Sequence, residues 1–401
     1  MSSGKYDFDS RIDRSGTECE KWDDLKTHFG RADLLPFWVA DMDFRSAPEI
    51  TEALRERAEF GVFGYPTEQT EKYRAAVANW ERRRHGWDVS PDEVGLMPGV
   101  VTGISVALCE LTSPGDGVVI QPPVYPPFFS EITRNGRRVV ENPLVETDEG
   151  YVMDLEHLRS VLTPDVKAIL LCCPHNPVAR VWKKEELQDL GRLCAERGVT
   201  VICDEIHQDL IYADAKHVPL SLAFPELEGR MVTLVAPSKT FNVAGLRASA
   251  WIARDREIYR RLHSAFDKFH LSGINIFGLV VLEAAYNRSE AWLDAVMEYL
   301  GENRDCVEKF LASRMPGVKL KHPEGTYIFW LDFRDYGLGQ KELMNVLTNR
   351  ARVAMNDGSL FGRMGEGFAR LNIGCPRSQL EEGLGRLADA FGELRKGTVN
   401  L

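Results

Sequence analysis

Short apolar, β-branched runs alternate along this chain with longer stretches in which apolar residues recur at helical spacing. Val118–Gln121, Lys167–Cys172, Val199–Cys203, Val232–Val235 and Ala248–Ile252 are compact apolar runs of the kind that form buried strands. Ser46 to about Phe60 predicts a helix, with Ser46 as capping residue, Pro48 and Glu49 in the first turn and Gly61 as the stop. Further helices are predicted over roughly Glu68 to His85, from the Gly99–Gly103 turn to about Leu111, and over Lys183 to Arg197. After Asp255 the pattern is helical to about Ala312, broken at Ser272-Gly273-Ile274-Asn275. Alternating segments follow at Val318–Lys321 and Thr326–Phe333, and a last strand-like run lies at Phe368–Ile373. No internal repeat or low-complexity tract interrupts the pattern.

At 401 residues the chain exceeds what one core usually organises, so two domains are expected. Hydrophobic (44%) and charged (27%) fractions are those of a soluble globular protein. A net charge of −11 argues against nucleic acid or an anionic membrane as partner. The eight cysteines form no C-x-x-C pair and no zinc-type spacing with histidine, so no metal site is expected; Cys172, Cys173 and Cys203 read as small buried hydrophobes. Met1–Ser10, with Asp7 and Asp9, lacks the apolar core of a signal peptide, and no run is long enough to span a membrane. A reducing cytoplasm is the expected location.

Several residues stand where a strand's C-terminal edge would present them, the usual ligand edge of an open α/β sheet. Lys239 follows Val232–Val235 by one short turn; alone it reads as a surface lysine, but partly desolvated it would be a nucleophilic amine. Asp204 ends the Val199–Cys203 run, and its spacing to Lys239 allows one crossover between neighbouring parallel strands; a plain turn cap is the alternative. Pro98-Gly99 before a helix offers unpaired N–H groups for a phosphate, or is a plain helix start. Tyr125 lies in a loop stiffened by prolines, and Asn176 precedes Pro177 in a strand-end turn. Arg370 sits inside an apolar run, where a guanidinium needs a partner: a substrate carboxylate or a structural ion pair. Trp38 and Phe44, beside Asp41 and Asp43, read as a packed arm or a pocket wall.

The stretch S-K-T-F-N-x-x-G-L-R around Lys239 resembles the cofactor-lysine signature of class I/II pyridoxal-phosphate enzymes. F-W-V-A-D-M-D-F (37–44), P-H-N-P-V (174–178), D-E-I-H (204–207) and R-L-N-x-G-C-P (370–376) resemble the MalY/PatB-type cysteine–sulfur lyase branch of that family. The resemblance covers nearly the whole chain. It implies a fold-type-I α/β architecture, with a seven-stranded, mostly parallel sheet in a large domain (46–288). An N-terminal arm (1–45) and a C-terminal segment (289–401) would build the smaller domain. It implies a homodimer in which Tyr65 reaches the partner's cofactor phosphate.

The same resemblance assigns roles. Lys239 holds pyridoxal 5'-phosphate and then acts as general base; Asp204 faces the pyridine nitrogen; Tyr125 stacks on the ring; Asn176 reaches the ring oxygen and lies near the substrate. Gly99, Val100, Val101, Ser238 and Arg247 bind phosphate, Arg370 takes the substrate carboxylate, and Trp38 lines the substrate entrance. His207, where aminotransferases usually carry Tyr, is a marker of the branch placed beside the cofactor. Ala179 stands where the usual pattern has Gly, a departure that bears on local backbone angles. The implied reaction is β-elimination from an S-substituted L-cysteine such as L-cystathionine. The alternative is an aminotransferase, since the same residues would serve. A regulatory role, binding a transcription activator, is the reading from another class.

Overall fold

The computed structural model describes residues 5–67 and 69–395. Seven strands form the main sheet: β1 (Val94–Met97), β2 (Gly117–Ile120), β3 (Arg138–Glu141), β4 (Val166–Cys172), β5 (Thr200–Asp204), β6 (Met231–Val235) and β7 (Ser249–Ile252). Their order is β1-β7-β6-β5-β4-β2-β3. β7 runs antiparallel to both neighbours, and the pairs from β6 to β3 are parallel. β1 therefore points the same way as β6, and β1, β2, β4, β5 and β6 all present their C-terminal ends along one edge. The sheet's buried strands carry the continuous apolar runs that helices on both faces require.

The helix at Pro48–Glu59 has Pro at its first position as the sequence predicts, but its N-cap is Ala47. Ser46 instead donates its hydroxyl to the Asn242 carbonyl at 3.1 Å, a tertiary bond that outcompetes the local cap. The helix expected from Glu68 is found at Glu71–Trp80, and Glu68 itself lies outside the described residues, as do Met1–Gly4. At Glu81–His85 that helix widens into a π-turn. Other helices, Val100–Leu111 and Lys184–Arg197 among them, follow the sequence pattern closely.

A second, four-stranded antiparallel sheet comprises Lys319–Leu320, Ile328–Asp332, Phe368–Asn372 and Asn356–Asp357 in spatial order. The N-terminal segment joins it indirectly, Leu35–Pro36 pairing in parallel with Val353–Ala354. Residues 37–44 then run as a strap between this region and the main sheet. Its polar groups are satisfied from both sides. Asn372 Nδ2 donates to the carbonyls of Val39 (2.6 Å) and Asp41 (2.7 Å). Asn242 accepts from Met42 N (2.9 Å) and donates to the carbonyls of Met42 (2.8 Å) and Phe44 (2.9 Å). Asp43, fully buried, is held by Lys21 (2.8 Å) and Arg14 (2.7 Å).

Ala179 adopts φ 59°, the left-handed region where a Cβ is strained. Its carbonyl there accepts from Glu324 N (2.9 Å) and Gly325 N (3.3 Å), so the tertiary contact holds the strain in place. Ala179→Gly is expected to raise stability by about 0.5–1 kcal/mol, the relieved strain exceeding the entropy glycine adds to the unfolded chain. A higher urea midpoint at unchanged slope is the expected observation. A lower midpoint would contradict it.

Candidate active site

The C-terminal edge of the sheet gathers the residues singled out from sequence. Cys172, the last residue of β4, pairs with Asp204, the last of β5, which pairs with Leu234 of β6. Asn176 follows β4 by one turn, and Lys239 lies on the one-turn helix Pro237–Thr240 after β6. Tyr125 follows β2 and caps the helix Pro126–Arg134. Gly99 caps the helix that follows β1.

Half-buried Lys239 donates to the Ala40 carbonyl at 2.7 Å, which also accepts the Tyr327 hydroxyl at 3.0 Å. Burial pulls the lysine pKa below its ordinary value; Arg370 adds to the depression, and Asp41 and Asp204 oppose it. The site thus shifts the amine toward its neutral form. Asp204 is buried, with the Ile206 backbone N–H (3.1 Å) as its hydrogen-bond donor. Burial pushes its carboxyl up to about 7, against that hydrogen bond and the nearby Lys239. A buried carboxyl with so little compensation fits a cationic ring N–H placed against it.

Arg370, on the strand Phe368–Asn372, is buried among neutral oxygen acceptors. It donates to the Trp38 carbonyl (2.8 Å), Asn356 Oδ1 (2.7 Å) and Asn176 Oδ1 (3.2 Å), and lies 5.0 Å from the Phe361 ring centre. Its Nε has no hydrogen-bond partner among the described residues. Burial draws its pKa down to about 10, with Tyr125 and Tyr327 opposing. A buried cation without a carboxylate is costly unless an anion arrives. Because Arg370 only donates, Asn176 must face it with oxygen, which leaves the Asn176 Nδ2 group free to donate elsewhere.

Tyr125 is half-buried, and burial with the Asp204 charge nearby pushes its phenol up to about 12, so it stays neutral. His207 is buried edge-on to Tyr327, and its Nδ1 has no hydrogen-bond partner among the described residues. Burial, with Lys239 and Arg370 nearby, brings its pKa down to about 3, so the imidazole is neutral. Gly99 has φ 169°, extended backbone that any residue adopts. A Cβ there would meet only Thr102 Oγ1, at 4.0 Å, and otherwise project into the open space before the helix N-terminus. The free N–H groups of Val100 and Val101 face the same end, where an anion is favoured. Ser238 precedes Lys239, and Arg247, exposed, holds φ 49°, a strained conformation at the end of the turn that follows.

Two of the expected residues keep their rings out of this chain's own pocket. The Trp38 indole packs with Leu25, Leu34 and Ala354, against the rings of His28 and Phe29, and its Nε1 donates to the Lys21 carbonyl at 3.0 Å. Trp38 therefore reaches the site through its main-chain carbonyl, because its ring is satisfied elsewhere. The Tyr65 ring stands wholly in solvent and forms no part of the pocket of its own chain. Sequence reading missed Asn242, Asn372 and Tyr327, although Asn242 and Asn372 lie inside the motifs around Lys239 and Arg370. They set the strap whose carbonyls meet both of those residues.

Residues 32–387 match the family described as aminotransferase class I and II. The chain belongs to that family. Within the class I and II aminotransferases it falls in the MalY/PatB-type branch. It is 45% identical over 385 residues to cystathionine beta-lyase PatB of Bacillus subtilis, covering 96% of this chain and 99% of the relative. Protein MalY of Escherichia coli is 36% identical over 394 residues, covering 97% and 100%. The crystal structure of cystalysin from Treponema denticola, which contains a pyridoxal 5'-phosphate cofactor, superposes with a TM-score of 0.94 at 35% identity, covering 97% of this chain and 99% of that one.

Proposed function

We propose that the protein is a pyridoxal-phosphate-dependent cysteine–sulfur β-lyase. It converts L-cystathionine or another S-substituted L-cysteine to a thiol, pyruvate and ammonia. The observation that carries the reading is Arg370, a buried guanidinium with neutral partners and, among the described residues, no carboxylate, on the same pocket as a lysine that burial drives toward its neutral form. The names of the relatives, cystathionine beta-lyase among them, favour elimination over amino transfer.

The residues divide the work. Lys239, whose amine burial shifts toward its neutral form, would hold the cofactor, and the same amine is the group placed to take the proton from the substrate Cα. Asp204 would face the pyridine nitrogen, where a cationic N–H against it would lower the carboxyl's raised pKa. Asn176 Nδ2 would be free to donate to the ring oxygen, Tyr125 would cover one face of the ring, and His207 would stand by as an uncharged neighbour. Ser238, Arg247 and the helix start at Gly99, Val100 and Val101 would hold the phosphate. Arg370 fixes the substrate carboxylate through its fork of N–H groups. Bound pyridoxal phosphate supplies the electron sink for the charge left at Cα. A thiolate at Cβ then leaves, and the resulting aminoacrylate hydrolyses to pyruvate and ammonia.

The active form in this reading is a homodimer, with Tyr65 of each subunit entering the partner's pocket. An exposed apolar patch of Phe60, Val62, Phe63 and Tyr65 supports it. Light scattering should give twice the 45.2 kDa chain mass, and a monomeric mass would contradict it. Among the described residues no helix is long and apolar enough to cross a membrane. Eight unpaired cysteines support a reducing, cytoplasmic setting.

The reading is tested by thiol release from L-cystathionine and from S-methyl-L-cysteine, with the cofactor bound. Release from at least one is expected. Silence on every S-substituted cysteine, in protein shown to hold the cofactor, would overturn it.

A further inference from the structure

The segment Asp204–Asp209 has two sides. Asp204 and His207 belong to the pocket. Glu205, Gln208 and Asp209 make their hydrogen bonds elsewhere, in a buried polar cluster behind it. Asp209 Oδ1 accepts from Trp80 Nε1 (3.0 Å) and lies 2.8 Å from His85 Nε2; its Oδ2 accepts from Thr240 Oγ1 (2.8 Å). Gln208 donates to Glu81 Oε1 (2.6 Å), and Glu205 pairs with His217 (3.2 Å), whose ring meets the His85 ring edge-on. Asp209, Trp80, Glu81 and Thr240 are all buried.

The π-turn explains how one carboxylate oxygen meets two residues from one helix. Trp80 and His85 are five positions apart, and in an α-helix such residues point about 140° away from each other. The wider turn at Glu81–His85 brings them round to the same oxygen. Burial pushes the Asp209 carboxyl up, but His85, Thr240 and Trp80 together hold it below the ordinary carboxylate value, so it is a charged acceptor.

Thr240 is the residue after Lys239, and both lie on a helix of one turn, too short to be rigid alone. From the geometry we infer that Asp209 is a positioning residue for Lys239. Gripped by Trp80 and His85, its carboxylate fixes the hydroxyl of Thr240 and so sets where the Lys239 side chain enters the pocket. The kinetic consequence rests on the lyase reading; the placement of Lys239 does not.

The test compares Thr240→Ala with Thr240→Ser, which differ by the hydroxyl oxygen, in the cofactor-loaded full chain. Two readouts are taken: kcat and KM for thiol release, and the visible circular dichroism per bound cofactor, which reports the asymmetry of its surroundings. For Thr240→Ala, kcat should fall about 10- to 100-fold with KM within about threefold, and the dichroic band should change. Thr240→Ser should restore both. Wild-type behaviour of Thr240→Ala, or a Thr240→Ser variant as impaired as the alanine, would overturn the inference. Should Thr240→Ala not fold, Asp209→Asn, which keeps side-chain volume, is subject to the same criteria: an altered band and lowered kcat support it, and wild-type values overturn it. If the wild type releases no thiol, the lyase reading fails, and the dichroic comparison alone decides the role of Asp209.

Discussion

Lys239→Ala is expected to lower elimination by at least about 10⁴-fold, because it removes the general base and the covalent holder of the cofactor at once. The fold should survive. Lys239 contributes one hydrogen bond, to the Ala40 carbonyl, and that carbonyl keeps the Tyr327 hydroxyl. Removing an amine whose charged form burial disfavours costs little more. The melting temperature should therefore stay within a few degrees of wild type while turnover vanishes. Lys239→Arg separates charge from chemistry. It keeps a cation in the pocket but has no neutral amine at any working pH, so it should be as inactive as the alanine variant. Substantial thiol release by either variant would remove Lys239 from the mechanism.

Arg370→Met should cost about 3–5 kcal/mol of transition-state binding, roughly 10²- to 10⁴-fold in kcat/KM, since a buried guanidinium–carboxylate pair loses one member. Arg370→Lys should also be impaired, because a point charge does not reproduce the fork that meets two carboxylate oxygens. Specificity gives the sharper reading. The wild type should prefer S-methyl-L-cysteine over the amine that lacks its carboxylate, and Arg370→Met should lose that preference. If the variant discriminates as the wild type does, Arg370 is structural and its partners are the Trp38 carbonyl and the two asparagines alone.

Much of the site was legible because its residues follow apolar strands closely, so local pattern alone places Asn176, Asp204 and Lys239 along one edge. What escaped has physical causes. β1 reads V-G-L-M, too short and glycine-broken to register as a strand, yet Gly95 is required there because a Cβ would collide with the Trp251 ring. β3 is an edge strand of the sheet, with Arg138 and Glu141 exposed, so it lacks the apolar run of its buried neighbours. Ser46 carries the signature of a helix cap but is drawn into a bond with Asn242, a partner almost two hundred residues away. The ring of Trp38 and the shared grip on Asp209 depend likewise on contacts between distant segments. Propensity says nothing about those. The π-turn is the clearest case, since its five-residue spacing matches neither the helix nor the strand period.

The central claim is that this pocket expels a thiolate after Lys239 takes the Cα proton. The most direct measurement quantifies thiol and pyruvate together, from S-methyl-L-cysteine, with and without an added 2-oxo acid. Equal amounts of both products, formed without the oxo acid and absent in Lys239→Ala, are the predicted result. Turnover that requires the oxo acid and releases no thiol would contradict the account and make the enzyme an aminotransferase.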